Sequence, residues 1–116
     1  MIFRGDVHLV DLEPVIGNEA NKGRPAVIVS NDRANAAASR LGRGVVTVVP
    51  VTSNVARLFS FQTRLPAESS GLRVESKAQA EQVRSVAIER IGPRLGTLPG
   101  SLMTELDDAL RVHLQL

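Results

Sequence analysis

The sequence predicts a mainly β fold of the α+β kind, a small barrel or sandwich of five to seven short strands closed by one terminal helix. Three observations carry this. Residues 45–51, VVTVVPV, form a stretch dense in β-branched side chains. Short apolar runs recur along the chain, punctuated by Gly, Pro and Asn. Only at the C-terminal end does the apolar spacing change to that of an amphipathic helix. At 116 residues the chain is read as one domain, spanning 1–116, too short for two independent cores and a linker.

The elements follow in order. Residues 7–12 alternate ahead of Glu13-Pro14, a turn signal, and form the first strand. Val15 to Gly23, with two Gly and two Asn, reads as a surface loop. Pro25 opens a buried strand through Ser30, at a first position that does not need its amide hydrogen. Asn31 and Asp32 can cap a helix from Arg33 to Arg40, where three consecutive alanines favour helix and Gly42 and Gly44 end it. Val45 to Val51 is the strongest strand, and its Pro50 reads as a strand end or an edge. Phe59, Phe61, Thr63 and Leu65 alternate with polar residues as a half-exposed strand, followed by a turn over Pro66 to Leu72. Short strands at Ser76–Gln79 and Glu81–Val86 lead to a helical turn near Ala87–Ile91, a break at Gly92-Pro93 and an edge strand at Leu95–Leu98. Leu102, Leu106, Ala109, Leu110 and His113 or Leu114 then line one face of a helix with Ser101 as its cap.

Composition removes several function classes. With no cysteine there is no disulfide framework, thiolate metal site or thiol nucleophile, which fits a reducing cytoplasm. Only His8 and His113 remain as imidazoles, too few for a His-rich metal cage, and no carboxylate cluster replaces them, so no metal and no cofactor are expected. His8 falls within a strand pattern and His113 near a helix end, neither beside a loop serine, so both are assigned structural roles. The motifs GxxxxGK[ST] and GxGxxG are absent. No apolar run approaches the roughly 20 residues of a membrane helix, and the N-terminus lacks a signal peptide's apolar stretch, so the chain is read as soluble, unexported and not membrane-bound. The net charge of +2 gives a weak pull toward nucleic acid, but 12 of the 14 basic residues are Arg, whose fork suits phosphate.

What remains is a set of loop-to-strand junctions: Glu19 and Lys22 in a glycine-flanked loop, Arg24 at a strand start, and Thr52-Ser53-Asn54 after the strongest strand. If the two central strands pair, Arg24 and Thr52 face one cleft and combine a guanidinium with a hydroxyl donor. Such a pair suits a phosphate whose charge rises toward a five-coordinate transition state. Spacing alone favours the plainer reading of Arg24 as a solvated charge and Thr52 as a turn former.

The ordered segments GDVHLVDLEPVIGNEANKGRPAVIVSND, VVTVVPVTSN and EQVRSVAIERIG, followed by an amphipathic helix, resemble the MazF/PemK family of toxin endoribonucleases over nearly the whole chain. The resemblance implies an SH3-like β-barrel with a C-terminal helix, a homodimer, and metal-independent, sequence-specific cleavage of single-stranded RNA. In that chemistry the RNA's own 2′-hydroxyl attacks, leaving a 2′,3′-cyclic phosphate and a 5′-hydroxyl, and DNA is spared. The resemblance also implies a cognate antitoxin whose acidic, partly apolar tail occupies the positive groove, and a cytoplasmic site of action. By the same token Arg24, Thr52 and Glu19 fall on catalytic positions, and Gln82 and Arg84 on the segment near the RNA groove; Lys22, Ser53 and Asn54 are the further RNA-contact candidates. A guanidinium keeps its proton far above neutral pH and is a poor base, so neutralising the phosphorane is the firmer role for Arg24, with proton transfer by Arg24, by Glu19 or by water left open. A related group with this fold poisons DNA gyrase by binding it, through its terminal helix region; the GRP and PVTSN segments favour the nuclease. The chain departs from the family in its aromatic content, with no Tyr or Trp and only Phe3, Phe59 and Phe61.

Overall fold

The computed structural model describes residues 1–12 and 23–116. The expected Glu13-Pro14 turn and, except for Gly23, the Val15–Gly23 loop lie outside the described residues. Among the described residues seven strands form one antiparallel sheet: β1 (Asp6–Val10), β2 (Arg24–Ile28), β3 (Val45–Thr52), β4 (Gln62–Leu65), β5 (Ser76–Gln79), β6 (Arg84–Ala87) and β7 (Ile91–Thr97). Their order is β4-β5-β3-β2-β1-β7, with β6 also on β3. Among the described residues three helices accompany them, α1 (Asp32–Leu41), the single turn α2 (Ala67–Ser70) and α3 (Gly100–Leu114), with short 3-10 turns at Ala80–Gln82 and Ile88–Arg90. The expected mainly β fold with a C-terminal helix is therefore present, built on a sheet in which no pairing joins β4 to β7 among the described residues.

Both faces of the central strands are buried, which is why their sequences are nearly continuous apolar runs rather than strict alternations. Val7, Val27, Val49 and Val51 face a core covered by Leu102, Leu106 and Ala109 of α3. Ala26, Ile28, Val46 and Val48 face the other, with Val10, Leu12, Val86 and Ala38 of α1. The SND segment is structural. Asn31 caps α1 by accepting a hydrogen bond from the Ala34 amide at 2.8 Å, and Gly42 closes the helix in the left-handed region. Fully buried Asn35 donates to the Ser30 carbonyl at 2.9 Å and accepts from the Ser30 hydroxyl, which itself accepts from the Thr47 amide at 3.0 Å.

Several expectations change, each for a local reason. Pro50 is neither at a strand end nor on an edge. It is buried and pairs with Ala26 on one side, while on the other β3 passes from β6, paired through Val48, to β5, paired from Val51. Its missing amide hydrogen falls at that change of partner. Phe59 and Phe61 precede β4 and stack on each other with ring centroids 5.3 Å apart, whereas Gln62 is buried and donates to Glu81 at 2.8 Å. Residues 81–83 belong to a 3-10 turn and its exit rather than to a strand. Gly92-Pro93 does not break the chain; both lie inside the irregular edge strand β7, whose register against β1 shifts twice. Buried side chains hold it there: His8 Nδ1 donates to the Gly92 carbonyl at 2.8 Å, and Asp6 accepts from the Thr97 hydroxyl at 2.9 Å. Ser101 lies within the first turn of α3, not at its cap, which is Pro99. His113 and Leu114 are exposed beyond the part of α3 that covers the core.

Gly71 pins the turn after α2 against β7. Its φ is +77°, and a Cβ there would meet the Leu95 carbonyl oxygen at 2.2 Å. Gly42 has a similar φ of +66° but open space around it. Gly71→Ala should therefore lower unfolding free energy by at least about 2 kcal/mol and Gly42→Ala by only about 1 kcal/mol, read by urea denaturation. Asn35→Ala should cost about 2–3 kcal/mol by the same measurement, since it leaves the Ser30 carbonyl and hydroxyl with lost partners in a buried site.

Candidate functional site

The β2–β3 pairing places the candidate residues. Ala26 stands opposite Pro50 and Ile28 opposite Val48, so carrying this register two residues further brings Arg24 level with Thr52. Both line one hollow of about 420 Å³, together with Ser53, Leu9, Pro25 and Val51. The turn after Gly71 closes this hollow with Leu72, Arg73 and Val74. A second hollow of about 310 Å³ is lined by Leu12, Arg24, Pro50, Gln79, Gln82 and Arg84. Leu9, Pro25 and Val51 follow the parity of the α3-side core, whereas Leu12 and Pro50 follow that of the opposite face. Arg24, exposed at the open end of β2, is shared by both hollows.

The polar groups are set for donation. Thr52 Oγ1 accepts the Asn54 amide hydrogen at 3.2 Å, an arrangement that fixes the hydroxyl oxygen and leaves its own proton for a ligand. Asn54 spends its side-chain oxygen on the Ala56 amide at 3.3 Å and lines neither hollow, so its part is to shape the turn that carries Thr52. Arg84 donates one N–H to the Leu12 carbonyl at 2.9 Å, which holds the guanidinium at the second hollow with other N–H groups to spare. Among the described residues no carboxylate forms an ion pair with Arg24. Among the described residues neither hollow is lined by a carboxylate, and together they hold Arg24, Arg73 and Arg84. Such a surface favours an anion chemically, and the amide and hydroxyl donors around it favour oxygen acceptors.

Of the sequence-derived candidates, the structure brings Arg24, Thr52 and Ser53 to one hollow and Arg24, Gln82 and Arg84 to the other. Glu19 and Lys22 lie outside the described residues. Sequence reasoning missed Gln79 and the Leu72–Val74 wall. The glycine before Leu72 was the available signal, but a turn residue does not show which distant strand it abuts.

The chain is 56% identical over 116 residues, covering all of this chain and 98% of the other, to endoribonuclease MazF9 of Mycobacterium tuberculosis. It is 34% identical over 118 aligned residues, covering 100% and 93%, to endoribonuclease MazF of Staphylococcus epidermidis. Among solved structures, an endoribonuclease in complex with its cognate antitoxin from a mycobacterial species superposes with a TM-score of 0.78 at 23% identity, covering 100% and 97% of the two chains. The profile of the family described as PemK-like, MazF-like toxin of type II toxin-antitoxin system matches residues 3–114, and the chain belongs to that family.

Proposed function

We propose that this chain, as a single toxin domain, is a sequence-specific endoribonuclease that cuts single-stranded RNA without a metal ion. The observation that carries the reading is that Arg24 and Thr52 line the same hollow. The 2′-hydroxyl oxygen attacks the adjacent phosphorus and loses its proton to a base, and the bond from phosphorus to the 5′-oxygen breaks as that oxygen gains a proton. The products are a 2′,3′-cyclic phosphate and a 5′-hydroxyl. As charge builds on the phosphorane, the Arg24 guanidinium neutralises it and the Thr52 hydroxyl donates to a non-bridging oxygen. Donors already in place gain most at that moment because nothing has to reorganise. Glu19, from the sequence alone, is one candidate for moving a proton, beside Arg24 and water. Ser53, Gln82, Arg84 and, from the sequence, Lys22 and Asn54 are assigned to the RNA beyond the scissile bond, Asn54 through its turn.

The same surface supports regulation by an acidic antitoxin segment, since opposite charge speeds encounter and apolar burial supplies the hold. The 23%-identical solved relative is named as bound to its cognate antitoxin. A homodimer acting in the cytoplasm completes the reading, and among the described residues no helix is long and apolar enough to cross a membrane. No finding favours the gyrase-binding alternative.

Removing either donor should cost about 3 kcal/mol in the transition state, a loss of roughly a hundredfold or more in rate. Arg24→Ala and Thr52→Ala are therefore expected to keep their circular dichroism and melting behaviour while losing cleavage of labelled single-stranded RNA in EDTA. A DNA strand of the same sequence should remain intact. Undiminished cutting by both variants would refute the assignment.

A further inference from the structure

The larger hollow contains more than a phosphate needs. Beside Arg24, Thr52 and Ser53 at its rim, it is lined by the apolar side chains of Leu9, Pro25, Val51, Leu72, Val74 and Leu95. Among the described residues its charged lining is Arg24 and Arg73, both cationic. At about 420 Å³ it lies within the range of pockets that enclose small molecules. A chamber with an apolar lining, cations and hydroxyls and, among the described residues, no carboxylate suits a flat apolar group joined to an anion. A nucleotide has that form, with the faces of its base apolar and its phosphate attached.

We propose that this hollow receives the nucleobase adjoining the scissile phosphate and that Leu72 and Val74 determine which base fits. The proposal rests on Arg24 and Thr52 holding that phosphate. The wall is built to keep its shape. Gly71 lets the chain pass against the Leu95 carbonyl, and Leu72 packs onto the α3-side core, so the turn that carries both side chains is anchored at Leu72. An apolar wall distinguishes occupants by size and shape, with a single methylene worth roughly 10–200-fold. The second hollow, with Gln79, Gln82 and Arg84, instead offers hydrogen bonds suited to base edges or backbone oxygens. Selection at the nucleotide in the larger hollow is therefore by bulk, purine against pyrimidine.

Val74 is 56% exposed, so its substitution leaves both cores intact. A random-sequence pool of single-stranded RNA is cut by the wild-type chain, Val74→Trp and Val74→Ala, and the new 5′-hydroxyl ends are sequenced. Val74→Trp is expected to shift preference at one position adjoining the cut toward the smaller bases by about tenfold or more, with other positions unchanged. Val74→Ala should relax preference at that same position toward the larger ones. Wild-type profiles in both variants would overturn the base subsite while leaving the nuclease reading standing. So would an inactive Val74→Trp beside an unchanged Val74→Ala, or unchanged profiles with weakened binding of an acidic, apolar peptide, which would assign the hollow to a protein segment. Failure of the wild-type chain to cut any RNA would overturn the nuclease reading and the subsite with it.

Discussion

The antiparallel register of β2 on β3 is the constraint from which the site follows. Pairing Ala26 with Pro50, Val27 with Val49 and Ile28 with Val48 sends alternate side chains into two cores and leaves the two strand ends level. A slip of one residue would exchange the faces of every side chain on the strand and separate the guanidinium from the hydroxyl. The valines that stabilise the sheet thus also position the chemistry. Arg24 can stay exposed and unpaired by any described carboxylate because burial of the residues after it fixes where it emerges.

The periphery completes what the central strands begin. Asn54 orients Thr52 through a backbone hydrogen bond, and the Leu12 carbonyl anchors Arg84. Gly71 presses its turn on β7 and thereby supplies the third wall of the larger hollow. Buried Asp6 and His8 hold β7 against β1, so the edge strand that Gly71 leans on is itself fixed by side-chain hydrogen bonds. The site combines rigid strand ends with one turn from a later part of the chain, the kind of support that keeps donors aimed before a substrate arrives.

Much of this was legible in the amino-acid order. The paired central strands, the Asn31 cap, the Gly42 stop and the apolar stripe of Leu102, Leu106 and Ala109 all follow from local pattern, and the structure places each of them as expected. Arg24 and Thr52 were legible as strand-end residues because strong strand signals sit next to both. Other features depended on partners that pattern does not reveal. Pro50 reads as an edge until β6 and β5 are seen to divide the far side of β3 between them. Gly92-Pro93 reads as a break until His8 is found bonded to the Gly92 carbonyl. The phenylalanines read as one face of a strand, but they stack on each other before β4 starts. For Leu72 and Val74 the only signal was the turn glycine before them, which does not show that the turn meets strand ends far away in the sequence.

The central claim is that one phosphate is held jointly by Arg24 and Thr52. The most direct measurement is an experimentally determined structure of the chain with a single-stranded RNA carrying a 2′-deoxy sugar at the cut position, so that the attacking hydroxyl is missing and the complex persists. The account predicts phosphate oxygens at about 3 Å from both the Arg24 guanidinium and Thr52 Oγ1. A scissile phosphate seated away from either group, with Arg24 turned wholly into the second hollow, would contradict it.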